Sequence, residues 1–367
     1  MRVALDLAEE LALRGHRVHL FACAPPLGAA GFAPGVVFHR IDGSPGAAGH
    51  RLDTDWPTAD VDALAERLAQ LAVTAGLDVL HFHYALPFAQ VAAAVRERMG
   101  PCAPALVVTL HGTDVSVHGA EPVTRRRLAR WLSHADAITT VSHSHAALAT
   151  RTLGLREPPQ VIPNFVVTNR FALRPVAADA RRPRLVHVSN FRTVKAPERI
   201  AEVYVRVRRV LDAELWLVGD GDGLPPLLAA VRAGGLGDDV RCFGLRRDVE
   251  RILPHADVLL VTSHTESFCL AALEAATCGL ATVAPRVGGV PEVVVDGTPG
   301  VLFEPGDVDG AVRAIVELLG DTVALARMRA AAVHHAAAFA PDRLVPCYED
   351  LYRSLAARRH VRRALAD

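Results

Sequence analysis

The feature that most constrains this chain is a rhythm. Short apolar runs rich in β-branched residues alternate with amphipathic helical patterns along most of its length. In the first half the runs are RVHLFAC (17–23), VVFHRI (36–41), DVLHFH (78–83), ALVVTL (105–110) and AITTVS (137–142). In the second half they are RLVHVSNF (184–191), AELWLVG (213–219), VRCFG (240–244), DVLLVTS (257–263) and ATVAP (281–285). Helical patterns such as ADVDALAERLAQLAVTAG (59–76) separate them. Continuous apolar strands between amphipathic helices imply parallel sheets covered on both faces.

The segment FVVTNRFALRPVAADARRP (165–183) breaks the rhythm, mixes proline with charge, and precedes a fresh strand. A chain of 367 residues is also too long for one ordinary core. The expected fold is therefore α/β, with two Rossmann-like, doubly wound domains at 1–170 and 171–340. Such sheets bind ligands beyond the C-terminal ends of their strands. A cleft where the two domains face one another is the expected site, and loops just after strands should carry the chemistry.

Bulk composition excludes several classes. Lys+Arg and Asp+Glu both number 40, which argues against a general nucleic-acid binder. None of the six cysteines forms a C-x-x-C pair, so they read as free thiols of a reducing compartment. The opening MRVALDLAEELALRGH carries Asp6, Glu9 and Glu10 within its apolar run, unlike a signal peptide. No window approaches the ~20 uncharged apolar residues of a membrane span. The default expectation is a soluble cytoplasmic protein, with self-association left open.

Four post-strand segments carry candidate chemistry. In SNFRTVKAPERI (189–200), Arg192 and Lys195 stand three apart before a helix that Pro197 can open. They offer a diphosphate site, a guanidinium fork beside a point charge; two solvated loop cations are the plainer alternative. In LVGDGDGLPPLL (217–228), Asp220 and Asp222 could be a metal pair, or the glycines a dinucleotide loop. The spacing is G-x-G-x-G rather than G-x-G-x-x-G, so a tight strand-to-helix turn is the better reading. TLHGTD (109–114) puts His111 at a strand end, where it could hydrogen-bond a ligand. His81 and His83 share a strand face by alternation, but no third ligand at metal spacing accompanies them.

The fourth segment is TSHTESFCLAALEAATCG (262–279). A helix beginning near Phe268 would leave Glu266 before it and expose the first-turn amides of Phe268, Cys269 and Leu270 to a phosphate. Glu274 lies eight residues after Glu266, close to two turns, so both carboxylates are expected on one side. Carboxylates accept hydrogen bonds from vicinal hydroxyls, as on a sugar or a ribose.

Together the Glu-x7-Glu segment, the Arg-x-x-Lys loop, LVGDGDG and GGVPEVV (288–294) resemble the retaining GT-B glycosyltransferases of family 4. HYALPFA (83–89), TLHGTDVSVHG, VSNFRTVKAPERI and ESFCLAALEA look most like those members that join UDP-N-acetylglucosamine to L-malate in bacillithiol biosynthesis. The resemblance implies that Ser189 and Asn190 bind the donor, that Arg192 and Lys195 bind its diphosphate, Glu274 the ribose, and Glu266 the sugar hydroxyls. The amides of 268–270 would complete the phosphate site, and His111 would lie near the anomeric carbon. Tyr84 and Thr109 would belong to the acceptor pocket. The implied partners are a nucleotide sugar and a small hydroxy acid; no metal or other cofactor is implied. A last helix at 341–367 would pack back on the first domain.

The chain departs from that pattern at several positions. Cys269 stands where the family has glycine, so a left-handed backbone there would be strained. Phe88 replaces a common histidine, and Ala137 stands where some malate enzymes place an arginine. The chain opens on the helix VALDLAEELALRG, closed by Gly15, where a strand and a glycine-rich loop would be expected first. The expectation is that this first strand is missing and belongs to an upstream segment. Two other classes compete. The basic stretch TRRRLARWL (124–132) would suit a lipid-directed transferase at a membrane surface, though a solvated helix face is favoured. A non-catalytic nucleotide-sugar binder is the other.

Overall fold

The structure is a computed structural model, and the residues it describes are 2–24, 31–41, 56–171, 173 and 181–364. It divides into two units: Met1–Asn164 with Asp342–Asp367, and Phe165–Pro341. The division falls at Asn164 rather than at 170, because Phe165, Val166 and Val167 are buried and the Val166 N–H donates to the Phe339 carbonyl at 3.2 Å. Most of the irregular segment 172–180 lies outside the described residues.

The first unit holds β1 (Val18–Ala22), β2 (Val36–Arg40), β3 (Val79–His83), β4 (Ala105–Leu110), β5 (Ala137–Thr140) and β6 (Gln160–Val161). All pairings are parallel, but they form two ladders: β1 with β2, and β3-β4-β5-β6. Among the described residues no ladder joins β1 or β2 to β3, so the single sheet expected for this domain is divided. The opening helix spans Arg2–Leu13.

All six residues of β4 are buried, as a strand covered on both faces must be. Its Leu106, Val108 and Leu110 share a core with helix Thr58–Thr74, whose Val61, Leu64, Ala65, Leu68 and Ala72 recur at helical spacing. The long helix Pro341–Ala364 belongs mostly to this unit and bonds to β3 through Tyr352 and His81.

The second unit holds β7 (Arg184–Val188), β8 (Glu214–Val218), β9 (Val240–Gly244), β10 (Val258–Leu260), β11 (Ala281–Pro285) and β12 (Gly300–Phe303). They make one parallel sheet in the order β12-β11-β10-β7-β8-β9. This is the doubly wound order, and its direction of winding reverses between β7 and β10. Ligands of such sheets sit outside the strand ends at that reversal. The two loops leaving it are 189–196 and 261–269. No described helix is long and apolar enough to cross a membrane.

Candidate functional site

The loop after β7 is set by an unusually close approach of backbone to backbone. A Cβ on Gly219 would sit 1.8 Å from the Ser189 carbonyl oxygen, and one on Gly221 1.9 Å from that of Asn190. The GDGDG glycines therefore let the turn after β8 press against the loop after β7. Asp220 accepts a hydrogen bond from the Gly221 N–H at 2.8 Å.

His187, on β7, orients the same loop and was not singled out from the sequence. Its Nδ1 lies 2.8 Å from the Leu260 carbonyl and must donate to it, which leaves Nε2 to accept from the Ser189 hydroxyl, also at 2.8 Å. Ser189 Oγ in turn accepts the Phe191 N–H at 3.0 Å. Burial pushes the His187 imidazole down to about 4, so it stays neutral. Arg192 is exposed and makes no side-chain bond among the described residues. Pro197 occupies the first turn of helix Pro197–Arg208, as expected.

The segment after β10 locks onto this loop. Thr262 Oγ1 donates to the Lys195 carbonyl at 2.9 Å, and the His264 N–H to the Val194 carbonyl at 2.9 Å. Lys195 Nζ then reaches Glu266 Oε1 at 2.6 Å, and Ser263 Oγ donates to the same oxygen at 2.7 Å. The GGVPEVV stretch holds Glu266 from behind. A Cβ on Gly288 would come within 2.0 Å of the Glu266 carbonyl oxygen, which accepts the Gly289 N–H at 2.9 Å.

The helix that follows spans Leu270–Thr277, beginning two residues later than expected from Phe268. Cys269 precedes it in the left-handed region, at φ +80° and ψ +66°, which turns the chain abruptly into the helix. Glu266 thus lies outside the helix, and its eight-residue spacing from Glu274 does not represent two turns of one face. Glu274 is buried in the helix interior. The amides of Cys269 and Leu270 open the helix, where no intrahelical acceptor exists; Phe268 is buried just before it. Burial pushes the Cys269 thiol up to about 12, which keeps it protonated at neutral pH.

In the first unit, a second cluster gathers where β3 and β4 end. Tyr84, at φ +74°, bonds its N–H to the Thr109 carbonyl at 2.9 Å, and its ring centroid lies 4.7 Å from that of His111. His83 Nδ1 and His111 Nε2 are 2.9 Å apart. His81 bridges Tyr352 Oη and Thr109 Oγ1, each at 2.6 Å, and Thr109 Oγ1 continues to Thr139 Oγ1 at 2.5 Å.

Burial lowers the pKa of all three histidines, that of His83 to about 3, so the cluster is a neutral hydrogen-bonding surface rather than a cationic one. Buried Asp114 holds the loop: its Oδ2 accepts the Ala85 and His111 N–H groups at 3.1 and 3.2 Å, and its Oδ1 that of Gly112 at 2.8 Å. The role of Asp114 was visible only as the last letter of TLHGTD.

Among the described residues four non-glycine positions have positive φ: Tyr84, Phe191, Ala196 and Cys269. Each lies in one of these post-strand segments, and each such conformation costs on the order of 1–3 kcal/mol. Strained backbone is retained where surrounding structure over-determines it, and it clusters at ligand-handling sites.

Comparison with known proteins decides the family. Residues 182–321 match the family described as "Glycosyl transferases group 1", and residues 2–170 match "Glycosyltransferase Family 4". The N-acetyl-alpha-D-glucosaminyl L-malate synthase of Bacillus anthracis is 32% identical over 329 residues, 87% of this chain and 84% of that protein. The chain belongs to glycosyltransferase family 4. The D-inositol 3-phosphate glycosyltransferase of Thermobispora bispora is 30% identical to this transferase over 91% of the chain and 85% of that protein. Among solved structures, the sucrose-phosphate synthase of Thermosynechococcus elongatus superposes with a TM-score of 0.80 at 22% identity, covering 96% of this chain and 92% of that one. Anabaena HepE, in complex with UDP and glucose, superposes at 0.77 with 19% identity, over 96% and 95% of the two chains. These likenesses establish the GT-B fold of the transferase.

Proposed function

We propose that this glycosyltransferase moves N-acetylglucosamine from UDP-N-acetylglucosamine to a small hydroxy acid, L-malate, with retention at the anomeric carbon and without a metal. The observation that carries the reading is the 32% identity to the malate synthase over 87% of the chain. The site geometry supports it. Arg192, Lys195 and the amides of Phe268, Cys269 and Leu270 receive the diphosphate beside Ser189 and Asn190. Glu274 accepts from the ribose hydroxyls and Glu266 from those of the sugar. His111 and Tyr84 serve the acceptor side as neutral donors and acceptors, whereas Thr109, expected there, is buried in β4 with its hydroxyl on His81 and Thr139 and acts only from behind them.

In this reading Lys195 is held by Glu266 until donor arrives, and its charge is then shared with the diphosphate. Negative charge grows on that leaving group as the glycosidic bond breaks, so Arg192 and Lys195 act most strongly in the transition state. The departing diphosphate accepts the proton of the attacking hydroxyl on the same face, and no protein nucleophile is assigned.

An inositol phosphate is the second acceptor reading, favoured by 30% identity over 91% of the chain to a D-inositol 3-phosphate glycosyltransferase. The test is a mass-spectrometric screen of UDP- and GDP-sugars against L-malate, other hydroxy acids and D-inositol 3-phosphate. A glucosaminyl-malate product supports the first reading. Product with the inositol phosphate alone supports the second, and UDP binding without any transfer overturns both.

A further inference from the structure

The first unit contains a cavity of about 560 Å³ that its glycosyltransferase chemistry does not use. It is walled by segments that precede strands: Gly100, Pro101 and Ala103 before β4, and Ser133–Asp136 before β5. Helix Pro341–Ala364 closes it with Leu355, Arg358 and Arg359. Tyr84 and His111 follow strands, so they lie at the other end of the same ladder. The six-residue β4 separates the two ends by roughly 20 Å.

The charge inside is unbalanced. Arg96, Arg358 and Arg359 line the cavity against a single carboxylate, Asp136. That carboxylate is already engaged by Arg96 and by the Leu106 N–H at 2.9 Å. Arg359 is pinned by its two terminal nitrogens to the neutral carbonyls of Leu77 and Cys102, at 3.3 and 2.9 Å, and among the described residues no carboxylate pairs with it. Its Nε is buried without a hydrogen-bond partner among the described residues. Arg358 makes no side-chain bond among the described residues.

Two guanidinium groups line the cavity without a carboxylate partner among the described residues, and such groups favour a phosphate. Leu355, Pro101 and Ala103 supply an apolar wall beside them. The volume falls within the range of small-molecule sites, roughly 300–1,000 Å³.

We propose that this cavity is a second ligand site, separate from donor and acceptor, which takes a small organic phosphate. The phosphate lies against Arg358 and Arg359, and the body of the ligand lies along Leu355. The inference does not depend on which sugar or acceptor the transferase uses.

The test is calorimetric titration of glucose 6-phosphate into the whole chain and three variants. Saturable binding is expected to the unaltered protein and to Lys195→Ala. Arg358→Glu should weaken it by at least about tenfold, and Arg358→Lys should retain most of it. Arg358 is exposed, so folding of these variants is checked by melting, and Arg358→Gln serves if charge reversal perturbs the fold. Absence of saturable binding, equal binding to Arg358→Glu, or loss in Lys195→Ala alone would each overturn the proposal. So would inorganic phosphate binding as tightly as glucose 6-phosphate, since the apolar wall would then have no role.

Discussion

Lys195 Nζ and Glu266 Oε1 lie 2.6 Å apart, with the lysine side chain 23% and the glutamate side chain 10% exposed. The pair joins the two loops that leave the sheet at its reversal point. A largely shielded charge held beside the proposed donor site can be redistributed when an anion arrives, and that gives the pair a kinetic signature. Lys195→Ala and Arg192→Ala are expected to lower kcat by about 10–100-fold, from the loss of a charge-assisted contact, and to raise donor KM less. Steady-state kinetics with varied donor checks this. A change confined to KM in both variants would assign the cations to ground-state binding. EDTA should leave turnover unchanged, and strong inhibition would reopen a metal role for Asp220 and Asp222.

Glu274 is buried within helix Leu270–Thr277. Glu274→Gln keeps its shape and removes its charge, so the fold should persist while UDP affinity drops by ~10–100-fold. Calorimetry with UDP, alongside a melting curve, separates the two effects. Unchanged UDP affinity would remove Glu274 from the ribose site.

Cys269 holds φ at +80° with a side chain in place. A non-glycine residue there costs on the order of 1–3 kcal/mol, and glycine gives back part of the gain, ~0.5–1 kcal/mol, as unfolded-state entropy. The loss of its buried side chain costs about 1 kcal/mol more, so Cys269→Gly should stay within ~1 kcal/mol of the unaltered protein in urea denaturation, and a loss above ~2 kcal/mol would contradict the strain assignment. The thiol, at about 12, should also resist Ellman's reagent while the exposed Cys102 reacts.

His187 has a free-chain value of 6.5, and burial lowers it to about 4 in the fold. Above pH 6.5 both states are neutral and the fold keeps its full stability. As pH falls from 6.5 towards 4, the unfolded chain binds a proton that the fold refuses, so stability is lost with acid. The loss amounts to a few kcal/mol at most, on the order of 1.4 per pH unit. His187→Asn can still donate to Leu260 from the Nδ1 position, but cannot titrate. Its unfolding free energy should fall less steeply between pH 7 and pH 4.5 than that of the unaltered protein. Parallel slopes would show that His187 carries no linked proton.

Much of the architecture was legible because buried parallel strands are continuous apolar runs. The strands that escaped were β6 and β12. Gln160–Val161 is only two residues long, and Gly300–Phe303 opens on a glycine that reads as a turn. The candidate loops were legible through their place after strands, but their internal geometry was not. Helical periodicity put Glu266 and Glu274 on one face, and the left-handed Cys269 removes the premise, since no period runs through such a residue. His187 was hidden inside an apolar run, where a lone histidine reads as core. The glycines of GDGDG read from the sequence as a tight strand-to-helix turn. Their actual partner, the 189–191 backbone, is distant in sequence, and single-residue spacing carries no signal for such an approach.

The division of the chain has a consequence for its synthesis. Phe165–Pro341 is a contiguous unit, whereas the other unit is assembled from both ends of the described chain. Tyr352, which bonds to His81, and Glu349, which meets His16 at 2.8 Å, leave the ribosome after the whole of the inserted unit. Domains tend to form as their residues emerge, so here the order is inverted. The later-made sheet can complete itself while the earlier-made one still waits for its last helix. During that interval β3 and the Thr109–Thr139 network lack their cover. A translational pause or a truncation near residue 341 would thus act mainly on the half of the protein made first.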